Sequence, residues 1–77
     1  MNMYSVYDKI AMKFMGMFES INDGTAQRAF SAACKDGQMA QAPGDYELYR
    51  IGQFDEDNGH FANTQRRICE GKPKQEE

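Results

Sequence analysis

The nine residues Tyr46–Phe54 (YELYRIGQF) constrain this chain most. They are rich in aromatic and β-branched residues and bounded by turn signals, so they read as a strand. Period-two alternation puts Tyr46, Leu48, Arg50, Gly52 and Phe54 on one face, and Glu47, Tyr49, Ile51 and Gln53 on the other. Each face therefore carries apolar or aromatic side chains. A strand with one solvated face alternates between apolar and polar residues, so this one should be covered on both sides.

The flanking segments say what could cover it. Residues 3–7 (MYSVY) read as a short strand, and residues 14–18 (FMGMF) as a second. Gly16 in the middle of the second marks a bulge or a close backbone approach. Met12, Met15 and Met17 make this region rich in thioethers, suited to core filling or to an adaptable partner surface. Ser20, Asn22 and Asp23 are N-cap candidates for a helix over residues 23–35. Ala26, Ala29, Phe30, Ala33 and Cys34 would form its buried stripe, with Gly37 taking the C′ position. After a polar connector with a Pro43-Gly44 turn and the third strand, Asp57-Asn58-Gly59 signals a hairpin into a fourth strand over residues 60–67.

The order is β-β-α-β-β. It predicts an α+β fold, a four-stranded, mainly antiparallel sheet with one helix packed on one face. Residues 1–70 would form this single domain, with 71–77 a disordered, charged tail. One sheet face is left without cover. A chain of 77 residues buries only a little over ~60% of its unfolded surface, so a second copy is the cheapest cover. A homodimer or higher homo-oligomer is expected, built face to face or edge to edge.

Charge and chemistry exclude several functions. The net charge of −3 argues against strong, non-specific phosphate binding. The positive residues gather in one place, where Arg66, Arg67, Lys72 and Lys74 face only Glu70 within residues 60–74. No run of ~18 apolar residues exists to span a membrane. The start, MNMYSVYDK, lacks the basic-then-apolar pattern of an export signal, so Cys34 and Cys69 are expected as free thiols. His60 is the only histidine and neither cysteine has one nearby in sequence, so no catalytic or metal site and no cofactor is expected. The run Asp55-Glu56-Asp57 lacks the spaced ligands of a calcium loop and reads as a solvated turn. What remains is a constellation of strand aromatics (Tyr4, Tyr7, Tyr46, Tyr49, Phe54, Phe61) with Arg50, Arg66 and Arg67. On an open sheet such rings stack unpaired bases while arginines hold phosphates; otherwise they are core or dimer interface.

Three stretches of the sequence carry a resemblance: Tyr4-Ser5-Val6-Tyr7-Asp8, the helix core Arg28-Ala29-Phe30, and Asp45-Tyr46 followed by Leu48, Gly52, Phe54, Asp55 and Gly59. In this order and spacing they resemble the small non-structural protein of the gokushoviruses, single-stranded DNA phages of the Microviridae, over about residues 3 to 61. The resemblance implies a protein made in the host cytoplasm and absent from the mature virion. It implies a non-catalytic DNA-binding role in the switch from duplex replication to single-strand synthesis and packaging. Joined to the charge pattern, it points to weak single-stranded DNA binding through Arg50, Arg66, Arg67, Tyr49, Lys72 and Lys74. The competing expectation is a protein–protein adaptor that engages the phage replication initiator or a host factor. Arg66 and Arg67 are adjacent, so at most one can share a face with the aromatics.

Overall fold

Four strands form in the computed structural model, which describes residues 1–72: β1 (Asn2–Asp8), β2 (Lys13–Ser20), β3 (Tyr46–Phe54) and β4 (Phe61–Glu70). The helix α1 spans Asp23–Ala33, and two short 3-10 turns, Gln38–Gln41 and Pro43–Asp45, lead from it to β3. The sheet order is β2-β1-β3-β4 and all three pairings are antiparallel. The α+β architecture is as the sequence predicts, and β3 begins and ends where expected. The fourth strand begins one residue later and ends three residues later than expected. The helix stops two residues earlier, because the N–H groups of Lys35 and Asp36 bond back to Ala32 and Ala33 in a tighter turn. Gly37 follows with a φ of 72°, open to glycine at no steric cost.

The helix starts where it does because the Asn22 Oδ1 accepts the Thr25 N–H at 2.8 Å. It buries Ala26, Phe30 and Cys34 against Tyr4 of β1 and Leu48 of β3. The expected five-residue stripe is therefore only three wide. Ala29 and Ala33 are exposed and, with Val6, Phe18 and Phe30, line an apolar groove between α1 and β2.

Bulges set which side chains face where. Ser5 pairs with Met17 and Tyr7 with Phe14, so Met15 and Gly16 of β2 together oppose Val6. The buried Ser5 hydroxyl donates to the Met15 carbonyl at 2.7 Å and lies 3.3 Å from that of Gly16. Gly16 is thus at a bulge, as one of its two readings had it. In β3, Tyr4 pairs with Arg50 but Met3 with Gly52, which makes Ile51 the extra residue. Beyond it the expected alternation fails. Gly52 and Phe54 leave the helix face: Phe54 pairs with Phe61, and a Cβ on Gly52 would lie 2.5 Å from the Phe61 ring.

The packed chain also reaches past the expected end of the domain. Gly71, the first residue of the expected tail, is buried, and its N–H donates to the Tyr46 carbonyl at 2.9 Å. Lys72 is exposed, and the rest of that tail, residues 73–77, lies outside the described residues.

The packing sets two stability expectations. Phe30→Ala should cost ~3–5 kcal/mol in urea unfolding, the range for truncating a buried aromatic. Ala29→Ser and Ser31→Ala should each stay within ~0.5 kcal/mol, because both positions are exposed. Comparable losses at positions 29 and 30 would mean that α1 lies on its other face. Gly52→Ala should cost ~1–3 kcal/mol, because its methyl group would sit 2.5 Å from both the Ala62 backbone carbonyl oxygen and the Phe61 ring.

Candidate nucleic-acid interface

Among the described residues, α1 covers one face of the sheet and no element covers the other. On that uncovered face three rings meet. Tyr7 lies 4.9 Å from Phe14, Phe14 5.3 Å from Tyr49, and Tyr7 6.2 Å from Tyr49, between centroids. Register brings them together: Tyr7 and Phe14 are cross-strand partners, and Tyr49 pairs with Ser5, two residues from Tyr7 on the same side of β1. Farther along the face, Met17, Ile51 and Phe61 frame a shallow pocket with Asn63 and Gln65. Phe14 is 37% exposed and Phe61 43%.

Arg67 stands directly across from Tyr49 on β4. Its Nε donates to the Glu47 Oε2 at 2.6 Å, which raises the guanidinium pKa further. Its two terminal nitrogens make no hydrogen bond among the described residues. At the same end Lys9 and Glu70 pair at 2.6 Å, which holds the Glu70 carboxyl below its ordinary range.

The other predicted residues divide. Arg50 does not join the rings. It pairs with Tyr4 on the helix-covered face, and its Nη1 contacts both oxygens of Asp23 at 3.2 and 3.3 Å. Tyr4 donates its hydroxyl to the same carboxylate at 2.5 Å and is fully buried, so it cannot stack a base. Tyr46 also packs against the core. Arg66 pairs with Arg50, so it projects from the helix side of the edge strand; it is exposed and takes no salt bridge among the described residues. Lys72 lies just past β4, and Lys74 lies outside the described residues. The uncovered face thus keeps Tyr49 and Arg67 of the predicted set, with Tyr7, Phe54 and Phe61 from the wider aromatic group. Phe14 was not singled out from sequence, because only the bulge at Met15 and Gly16 decides its side.

Elsewhere the chemistry is spent on turns and core. His60 is exposed, and its backbone N–H bonds to the Asn58 side chain. Asp55 accepts the Asp57 N–H at 2.9 Å and, through its carbonyl, the Gly59 N–H at 2.8 Å, which closes the β3–β4 loop on itself. Burial pushes both thiols, Cys34 and Cys69, above their ordinary pKa. Among the described residues no three His, Cys, Asp or Glu side chains gather as a metal site would require. No described helix is long and apolar enough to cross a membrane.

The family model described as Phage ORF5 protein matches residues 1–73. Comparison with the curated proteins and with the solved structures returned no match.

The Tyr4–Asp23 contact makes stability depend on alkaline pH. Burial, and then the bond to Asp23, raise the Tyr4 pKa above its unfolded value. The neutral phenol is favoured in the folded state, so this stabilisation is complete below about pH 10 and is lost as pH climbs through the folded pKa. A titration followed by phenolate absorbance should show one late ionisation that coincides with unfolding, and Tyr4→Phe should remove it. A Tyr4→Phe variant that keeps the late phase would place that ionisation on another ring.

Proposed function

The chain belongs to the phage ORF5 protein family, and from that premise we propose that it is a non-catalytic accessory protein that binds single-stranded DNA on the uncovered face of its sheet. The observation that carries this reading is the ring cluster of exposed Phe14 with half-buried Tyr7 and Tyr49 on the uncovered face, with Arg67 beside it. Unpaired bases stack on such rings with ~1–3 kcal/mol each and without sequence preference. Glu47 orients Arg67 through Nε and leaves the planar fork of terminal nitrogens for a phosphate. Arg66 projects from the helix side of β4 and Lys72 lies past its end, so of these three Arg67 alone stands on the ring face.

The net charge of −3 supplies no long-range attraction, so binding is weak, led by stacking and local. Such binding suits a protein that covers emerging single strands and must yield them to packaging. In this reading the source is a gokushovirus-like phage, and the protein acts in the host cytoplasm at the switch from duplex replication to single-strand synthesis. It stays out of the mature virion. A second reading, an adaptor for the replication initiator or a host factor, is favoured by the exposed Met12, Met15 and Met17.

Anisotropy of a labelled homopolymeric DNA strand, titrated across salt, separates the two. On a single strand each phosphate contact contributes ~0.7 to the logarithmic salt slope. Arg67→Ala should therefore reduce the slope by about that step. Tyr49→Ala should weaken affinity about 5- to 150-fold at one salt concentration and leave the slope unchanged. Replacing Arg66 and Arg67 together should leave the melting temperature nearly as it was. No binding by the parent protein at low salt would leave the adaptor.

A further inference from the structure

The edge strand β2 is composed like an interior strand. Only β1 pairs with it among the described strands. Edges are ordinarily blunted by charge, proline or a bulge; this one has a bulge, but Phe14, Met15, Gly16, Met17 and Phe18 are consecutive and uncharged. Met15 is 47% exposed and Met17 62%.

The bulge makes this edge apolar above and below. In a regular strand Phe14 and Met17 would point to opposite faces. The extra residue puts both on the uncovered face, where Phe14 opposes Tyr7 and Met17 opposes Ser5. Phe18 opposes Tyr4 on the helix face, and Met15 lines a cleft there with Ala33 and Met39. On that side the groove under Ala29 and Ala33 is open. Gly16 lies at the centre. Its φ is not in the left-handed region, and a Cβ there would meet nothing within 4 Å. No neighbour among the described residues needs a glycine at this position, as a backbone arriving from outside would.

We propose that a second copy of this chain pairs its own β2 antiparallel to this one, about a two-fold axis perpendicular to the sheet at the bulge. The strand itself points to that partner. Lys13-Phe14-Met15-Gly16-Met17-Phe18-Glu19 reads the same in both directions, except that its two ends carry opposite charge. Antiparallel pairing brings each Lys13 to the end of the ladder where the partner's Glu19 lies. Between those ends only apolar side chains meet. On the uncovered face Phe14 lies against the partner's Met17, twice by symmetry. On the helix face the partner's edge closes the groove beside Ala29 and Ala33. The result is one eight-stranded sheet. A perpendicular axis preserves faces, so both ring clusters lie on the same side and form one longer platform. That consequence rests on the DNA-binding reading above; the pairing does not.

Sedimentation equilibrium without DNA tests the pairing on the full chain. The parent should give twice the 8.8 kDa chain mass. Met17→Lys should return it to the single-chain mass with an unchanged circular-dichroism spectrum, because Met17 is exposed, and its melting temperature, unlike the parent's, should not rise with protein concentration. Lys13→Glu should weaken association several-fold, and Lys13→Glu combined with Glu19→Lys should restore it. Hydrogen exchange should show β2 amides protected in the parent and released in Met17→Lys. A parent at single-chain mass up to its solubility limit overturns the proposal. So does a Met17→Lys dimer, or a charge swap without rescue. A dimer that fails to bind DNA would leave the pairing standing and remove the functional reading instead.

Discussion

The carboxylate of Asp23 decides which side of the sheet is closed. It receives the Tyr4 hydroxyl from β1 and the Arg50 guanidinium from β3, the two central strands. Its position in the first turn of α1 adds the favourable field of the helix N-terminus. One anion thus fastens α1 to the middle of the sheet, and Phe30, Ala26 and Cys34 then close over Leu48 and Tyr4. The same contact withdraws Arg50 from solvent. Among the described residues the other face carries rings and no helix.

The element order was legible because the signals were local. Asn22 caps, Gly37 takes a positive φ, and Asn58-Gly59 turns, each for reasons contained within a few residues. What the sequence hid was parity. Alternation along Tyr46–Phe54 assumes no inserted residue, and Ile51 is one, so Phe54 changes face. Tyr4 and Tyr49 are the same residue type on neighbouring strands. One is core and the other surface only because α1 settles on the Tyr4 side. The helix stripe was overestimated for a related reason. Periodicity marks Ala29 and Ala33 as apolar, but whether a strand lies beneath them depends on where α1 crosses the sheet.

The charges follow the same division. Each resolved ion pair ties a strand to another element: Arg50 to α1, Arg67 to Glu47 across the β3–β4 ladder, and Lys9 to the end of β4. Exposed pairs of this kind add little stability, so their effect is mainly positional. Of the positive residues that the sequence gathers after His60, Arg67 alone enters an ion pair among the described residues.

The glycines carry the last step. Gly52 lies under the Phe61 ring, and Gly71 is pressed against Pro43 and the Cys34 sulfur, so a side chain at either would collide with its own chain. Gly16 has no such neighbour, although it sits in the most apolar stretch of the molecule. Its bulge is held by the Ser5 hydroxyl, which satisfies carbonyls that the widened ladder leaves free. Evenly paired strands would have needed no buried serine there. Ser5, Gly16 and the shifted parity of Phe14 and Met17 therefore form one device, which turns an apolar side chain to each face of an unpaired edge. The five core residues among the described residues lie on the helix side of the sheet and do not cover this edge. The chemistry that would cover it has the same length, polarity and end charges as the edge itself.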